Sequence, residues 1–390
     1  MNWLHEVSIK DICDLITVKT NIKNASIENY ISTENMLPNF GGVEHAEKLP
    51  TSNTVNTFIP QDILFSNIRT YFKKVWFSRF NGTASADVLV FRAKDNCDSK
   101  FLYYLMCDPS FIEYTVLTSK GAKMPRGDKD AIFSYTVSLP SIQEQKAIAS
   151  VLSSLDDKID LLHRQNKTLE SMTNTLFRQW FIEDAHIHWT EKKLSSFGRI
   201  ICGKTPSKKN SLYFGNDVPF LKIPDMHGKV FVFKSTDNLS FAGEHSQSKK
   251  TIPPGSICVS CIATVGLVCI TDVSMQTNQQ INSIIPNKEY YKYFLYLLMK
   301  SMGDELNNLA SGGTATLNLN TGDFSNITFL SPSENELKIF HQSISSLFDK
   351  LKLNSKQINI IENLRDTLLP KLMSGEVRVQ YAEEVISSVI

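Results

Sequence analysis

Five stretches of this chain are basic or Gly-rich and show no helical period. The first half holds Arg69 to Lys74, with Arg69, Lys73 and Lys74, and the loop Ser119-Lys120-Gly121-Ala122-Lys123-Met124-Pro125-Arg126. The second holds Gly203 to Lys209, with Lys204, Lys208 and Lys209, then Lys249-Lys250, then Ser311-Gly312-Gly313-Thr314. Cations on exposed turns neutralise phosphates, and glycines such as Gly312 and Gly313, with Thr314 beside them, let backbone N–H groups approach an anion closely. Each stretch taken alone also fits a solvated turn. What favours a shared role is that the Lys120 and Gly312 loops fall at equivalent places in an internal repeat.

Residue sets for other chemistry are incomplete. Cys258 and Cys261 form a C-x-x-C with Cys269 close by, but they lie in an apolar run from Ile257 to Ile270, and no second Cys or His pair completes a zinc site. Glu191-Lys192-Lys193 matches the E-x-K core of one nuclease class without a partner Asp, and reads as exposed charge. There is no G-x-x-x-x-G-K-[ST] for ATP, and neither Asn-Pro-Pro-aromatic nor F-x-G-x-G for S-adenosylmethionine-dependent base methylation. The eight histidines are dispersed. The pattern is that of a binding protein and not of a catalyst.

Composition sets few further limits. Lys plus Arg number 41 against 40 for Asp plus Glu, so the whole-chain charge gives no argument for a polyanionic partner. Seven scattered cysteines fit reduced thiols and a cytoplasmic location better than a disulfide framework. The amino terminus MNWLHEVSIK is too polar for a signal peptide, and no apolar run reaches the length of a membrane span.

The elements that must position the loops are two long helices. Ile148, Leu152, Leu155, Ile159, Leu162, Leu169, Leu176 and Trp180 recur at steps of four and three, a heptad seam broken only by Asn166 and Thr173. Pro140 precedes it, and Ser141 with Glu144 reads as a capping box. A shift of 192 residues maps Pro140 onto Pro332, Glu144 onto Glu336, Ser154-Leu155 onto Ser346-Leu347 and Asp157-Lys158 onto Asp349-Lys350. The seam reappears as Phe340, Ile344, Leu347, Leu351, Ile358, Ile361, Leu368 and Leu372, with breaks at Asn354 and Arg365, and ends at Ser374-Gly375.

The chain is therefore an internal duplication. Strands are predicted at Ile63 to Ile68, Val75 to Phe77 and Val88 to Phe91, then a helix from Lys100 to Met106 that Pro109 closes. The second copy repeats them at Ile257 to Ile262, Leu267 to Ile270 and Ile281 to Ile285, with a helix from Lys288 to Met302. The expected fold class is α+β: two α/β domains with mostly antiparallel, curled sheets alternate with two long helices that form an antiparallel coiled coil, in pseudo-twofold symmetry. The expected boundaries are a first globular domain 1–140, a central helix 141–182, a second globular domain 183–331, a C-terminal helix 332–378 and a tail 379–390.

With the duplication in place, the chain resembles the specificity subunit of type I restriction-modification systems. The resemblance rests on Leu139-Pro140-Ser141-Ile142-Gln143-Glu144-Gln145-Lys146-Ala147-Ile148-Ala149, on Leu155-Asp156-Asp157-Lys158-Ile159, and on Leu364-Arg365-Asp366-Thr367-Leu368-Leu369-Pro370-Lys371-Leu372-Met373-Ser374-Gly375. Pro332-Ser333-Glu334-Asn335-Glu336-Leu337 departs from the first opening while keeping its place. The resemblance implies a chain without catalysis of its own, whose two target-recognition domains each read half of a two-part site on double-stranded DNA. It implies two methyltransferase partners and added restriction and translocase subunits; S-adenosylmethionine, ATP and Mg belong to those partners, and no cofactor and no membrane belong to this chain. Two other readings are the recognition part of a fused methyltransferase-endonuclease system and a structural helical adaptor.

Two geometric expectations follow from the seams. The helices act as a spacer, since the 33 residues from Ile148 to Trp180 span about 50 Å at 1.5 Å per residue, on the order of 14 base pairs. Full antiparallel overlap sets Asn166 opposite Asn354, their amides satisfying each other and fixing the register, with Arg365 opposite Leu155 and Thr173 opposite Leu347 where solvent reaches them.

Overall fold

The structure, a computed structural model, describes residues 5–184, 188–311 and 317–389. The chain folds into two compact units, one of residues 1–160 with 359–390 and the other of residues 161–358. The first long helix runs Ile142–Arg178 and the second Glu334–Met373, so each unit contains a part of both.

In the first unit the run Ile63-Leu64-Phe65 is buried on both faces and so takes an inner place in its sheet. The antiparallel strands lie in the order Cys13–Leu15, Val88–Ala93, Ile63–Ser66, Val75–Phe77. A second sheet orders Lys19–Asn21, Thr54–Phe58, Gly82–Ala84, Tyr30–Ile31, its last pair parallel. The helix Ser99–Cys107 starts because the Asp98 carboxylate accepts the Lys100 and Phe101 N–H groups, both at 3.0 Å. Pro109, expected to close it, instead opens the next helix, Pro109–Leu117, where its missing N–H costs nothing and Asp108 supplies the cap.

The second unit repeats the plan with a five-stranded sheet, Gly198–Cys202, Ile281–Pro286, Ile257–Ile262, Thr264–Thr271, Phe231–Val232. Helices Lys292–Ser301 and Gly303–Ala310 follow, the first after a 3-10 turn at Glu289–Tyr291. A three-stranded sheet holds Phe214–Leu221 between Asn238–Leu239 and Gln276–Thr277. Cys258 sits opposite Cys269, and both are buried with Cys261. Burial pushes the Cys261 thiol up to about 11, and among the described residues no three His, Cys, Asp or Glu side chains are grouped to hold a metal.

The duplication extends to individual hydrogen bonds. The ribbon His5–Ser8 with Thr136–Leu139 recurs as Thr190–Lys193 with Thr328–Ser331. Ile9 N–H donates to Tyr135 O at 2.9 Å, and Leu194 N–H to Ile327 O at 2.8 Å. Gln61 and Gly255, equivalent by alignment of the strands that follow, both have positive φ, 74° and 84°.

The helix seams are buried as their spacing requires, with Leu152, Leu155, Phe340, Ile344, Leu351 and Ile361 all within the core. Within the second unit the segments run antiparallel, since Asn166 lies by Ser355 while Phe177 and Trp180 lie by Phe340. The amides of Asn166 and Asn354 do not satisfy each other: Asn166 Nδ2 donates to Ser355 Oγ at 3.4 Å and Asn354 Nδ2 to Gln165 Oε1 at 3.3 Å. Each reaches the residue beside its opposite number, and both Oδ1 atoms are buried without a partner among the described residues. Thr173, expected near solvent, is buried, which it tolerates because its hydroxyl donates to Glu170 O at 2.9 Å. Arg365 is not left to water either. In the first unit its Nη1 meets Asp156 Oδ1 at 2.9 Å, and Tyr104 Oη donates to the other oxygen of that carboxylate at 2.6 Å.

The second long helix is closed at both ends by local chemistry. Ser333 N–H donates to Glu336 Oε2 at 2.6 Å while Glu336 N–H donates to Ser333 Oγ at 3.3 Å, a complete capping box in the copy whose opening sequence departs from the first. At the far end Gly375 takes φ 75° and donates to Leu372 O, ending the second helix where expected. Residues 379–390, expected as a tail, include a helix, Val379–Val389, that buries Val379 and Ala382.

Candidate nucleic-acid interface

In the first unit the strand Ile63–Ser66 leaves its sheet into the basic loop. Ile68 bridges to Arg126, Arg69 N–H donates to Pro125 O at 2.8 Å, and Gly127 N–H donates to Asn67 O at 3.0 Å. The second basic loop is closed by a reciprocal pair, Lys120 N–H to Arg126 O at 2.8 Å and Arg126 N–H to Lys120 O at 2.9 Å. Arg69, Lys73, Lys74, Lys120, Lys123 and Arg126, far apart in sequence, therefore stand on two adjoining loops.

Their charges are not equally available. Lys120 is paired with Asp128, a contact that raises the Lys120 ammonium and holds the Asp128 carboxyl below its usual range. Arg126 Nη2 meets Asp87 Oδ1 at 2.9 Å. Lys74 Nζ donates to Thr33 O at 2.6 Å, and burial pulls its pKa down. Arg69, Lys73 and Lys123 have no carboxylate partner among the described residues.

The second unit builds the same stem. Ile262 bridges to Asn318, Ala263 N–H donates to Leu317 O at 3.0 Å, and Leu319 N–H donates to Cys261 O at 2.8 Å. These reproduce the Ile68, Arg69 and Gly127 bonds one for one. Gly312, Gly313 and Thr314 lie outside the described residues.

Lys204 and the Lys249-Lys250 turn are joined through buried amides. Gln247 Nε2 donates to Lys204 O at 2.6 Å and to Gln276 Oε1 at 2.7 Å, and Lys250 N–H donates back to Gln247 O at 2.8 Å. Gly203 is obligatory beside them, because a Cβ there would lie 2.1 Å from Asn278 O and 2.2 Å from Thr277 Oγ1. Lys208 and Lys209 ride on the next turn, where Asn210 N–H donates to Ser207 O at 3.1 Å. A chain of bonds runs from this loop to the stem: Thr205 Oγ1 to Gln279 Oε1 at 2.7 Å, then Cys261 N–H to Gln280 O at 2.8 Å. Lys204, Lys208, Lys209, Lys249 and Lys250 have no carboxylate partner among the described residues.

Sequence reasoning missed the exposed apolar side chains among these cations. Tyr71 is 48% exposed and Phe72 40% in the first unit, and in the second Leu212 is 75% exposed and Phe241 62%. The run Arg69-Thr70-Tyr71-Phe72-Lys73-Lys74 carried the signal, since two aromatics flanked by cations suit nucleic acid better than a plain turn.

Comparison with known proteins agrees with this architecture. Residues 2–171 and 186–363 each match the type I restriction modification DNA specificity domain. The chain is 37% identical to the type I restriction enzyme HindI specificity subunit of Haemophilus influenzae, over 81% of this chain and 86% of that one. It is 28% identical to the MjaIX specificity subunit of Methanocaldococcus jannaschii, over 74% and 71%. The crystal structure of the type I restriction-modification S subunit from M. genitalium shares the fold at TM-score 0.60 and 16% identity, with 95% of this chain and 96% of that one covered. With two matched domains, each followed by part of a long helix pair, the chain belongs to the type I restriction-modification specificity subunits, DNA-recognition proteins that carry no catalysis themselves.

Proposed function

We propose that each unit reads one half of a two-part site on double-stranded DNA, and that the long helices fix the gap between the halves and dock two methyltransferase subunits. The observation that carries this reading is the stem built twice: Ile68 with Arg126 and Ile262 with Asn318 support loops of different sequence on the same hydrogen bonds. A fixed stem under unlike loops is what reading two unlike sequences requires. The domain limits that this assigns are 1–140 and 183–331 for recognition and 141–182 and 332–378 for the spacer helices.

The candidate phosphate contacts are Arg69, Lys73 and Lys123 in the first unit and Lys204, Lys208, Lys209, Lys249 and Lys250 in the second, with Gly312, Gly313 and Thr314 in close backbone approach. Lys74, Lys120 and Arg126 serve chiefly to hold their loops, since each already has a partner. For docking, Ile339 and Leu353 are exposed two heptads apart on the second long helix, an apolar face the helix pair leaves uncovered. S-adenosylmethionine, ATP and Mg act in the partner subunits, and restriction and translocase subunits complete the assembly. The chain works in the cytoplasm with its seven cysteines free; no described helix is long and apolar enough to cross a membrane.

The test is to purify the chain with its methyltransferase subunits and map methylated adenines on genomic DNA, then repeat with either recognition domain exchanged for a relative's. Exchange of one domain is expected to change one half of the motif and leave the other. A motif that changes in both halves, or in neither, would overturn the assignment.

A further inference from the structure

Backbone strain in this chain is gathered at one place. Six non-glycine residues have positive φ among the described residues, and four of them, Asn39 (54°), Phe40 (60°), Arg69 (51°) and Lys73 (55°), belong to two turns that touch. Asn39 N–H donates to Phe72 O and Phe40 N–H to Lys73 O, both at 2.9 Å. The first turn is a two-residue hairpin tip, with Met36 bridged to Val43 and Gly41 N–H donating to Pro38 O at 3.2 Å. Such a tip needs positive φ at both central residues, which suits Asn39 and strains a bulky Phe40 where glycine is the easy choice.

The second turn is one 3-10 turn, Thr70–Phe72, held between left-handed residues on both sides. It presents Tyr71 and Phe72 to solvent with their ring centroids 4.7 Å apart. The other repeat keeps the left-handed residue, with Ala263 at φ 65° in the place of Arg69, but builds no 3-10 turn after it. There Ile262 pairs directly with Thr264 across Ala263, the equivalent of Arg69, and the chain returns at once as a strand. Strained turns persist where the strain does something for function, and Tyr71 and Phe72 each leave nearly half of their surface to solvent.

We propose that the turn Arg69–Lys73, clamped on the hairpin tip Asn39–Phe40, is the base-reading element of the first unit. Tyr71 and Phe72 lie against base edges of duplex DNA, and Arg69 and Lys73 contact the flanking phosphates. The assignment rests on the function proposed above and adds the contacts that select sequence. Duplex DNA is favoured over a protein partner because the rings are framed by Arg69, Lys73 and Lys123, three cations without carboxylate partners among the described residues. An apolar docking site for a protein would lack that frame.

The test uses the whole chain with its methyltransferase subunits and the variants Tyr71→Ala, Phe72→Ala, their double, and Lys73→Ala. The ring variants are expected to assemble like the parent, with at most a small fall in melting temperature, because each ring stands about half in solvent. Each should weaken binding to the methylated motif by roughly ten-fold and relax preference in one half-site only, with the slope of log Kd against log salt unchanged. Lys73→Ala should instead lower that slope by about one and leave base preference alone. Ring variants that keep the parent's motif and affinity would overturn the inference, as would variants that lose the methyltransferase subunits, which would make the turn a protein contact. A parent complex with no sequence preference would overturn the underlying function and this assignment with it.

Discussion

Arg365, Asp156 and Tyr104 form a polar clamp between the helix pair and the globular part of the first unit. The 192-residue shift maps them onto Thr173, Phe348 and Tyr296, where the second unit has a buried threonine and a Phe348 ring edge-on to Tyr296 at 5.7 Å. The chain thus contains two solutions to one packing problem, and transplanting the second into the first is a quantitative test. Side-chain exposures of 20% for Arg365 and 28% for Asp156 put the pair between the surface and fully buried cases. Loss of one member of a buried pair costs about 3–5 kcal/mol and of an exposed pair about 0–1, so Arg365→Thr or Asp156→Phe alone should cost about 2–3 kcal/mol. The double variant restores a complementary set and should lie within about 1 kcal/mol of the parent, a coupling of roughly 3–5 kcal/mol. Amide hydrogen exchange of residues 142–160 reads this locally, without assuming that both units unfold together. A double variant whose loss equals the sum of the singles would refute the reasoning.

Adding one helical turn to each long helix, four residues after Lys158 and four after Glu362, should lengthen the gap in the methylated motif by about 2 base pairs and spare both halves; an unchanged gap in methylome sequencing removes the ruler. In the second unit Asp272 is met by Lys352 and by Lys356 at 2.8 Å, and Asp272→Asn should lower that unit's stability by about 1 kcal/mol in urea titrations, with a larger loss for Asp272→Lys. The His341 ring stacks on Tyr293 at 5.2 Å; burial first, then Lys292, holds its pKa below the usual 6.5, against weaker opposing effects of Glu289 and Asp349. A His with a lowered folded pKa favours folding while neutral, so the second unit should lose stability as pH falls below about 6.5, and His341→Gln should flatten that acid-side slope in pH-dependent melts.

What was legible in the sequence is what period and repetition encode. The heptad steps gave both helices and most of their buried faces, but Leu169, Leu176, Trp180 and Leu347 are only partly buried, and Phe177 and Phe348 take core places one step along the helix. The loops were legible as basic and equivalent in place, but not as a built surface. Nothing in the spacing of Lys120 and Arg126 says that their charges are taken by Asp128 and Asp87, since ion pairs join residues the chain brings together only on folding. The polar breaks in the seam failed for a related reason. Asn166 and Asn354 do lie across from each other's neighbours, and each donates to the side chain one residue away in place of the amide opposite. Arg365 looked like an end exposed to water because its partner, Asp156, stands just off the seam.

The exchanges between the two copies follow a rule that single residues hide. Where the first unit pairs Arg79 with Asp160 at 3.4 Å, the second pairs Asp272 with Lys352, the same two places with their charges reversed. Gln145, buried and bonded to Pro140 O and Asp98 N–H, has Leu337 as its buried counterpart. A duplicated chain faces a problem that an unrepeated one does not: each globular part meets two helix starts with the same seam spacing and must settle on one. Docked on the other start, Arg79 would face Lys352 and Asp272 would face Asp160. The Asp156 carboxylate would be traded for the Phe348 ring beneath Tyr104. Like charges brought into contact and a polar partner lost cost more than the matched pairs gain, so discrimination comes from what the wrong arrangement loses. Divergence at these contacts therefore preserves the order of the repeats while the seam itself, identical in spacing, supplies the stability common to both.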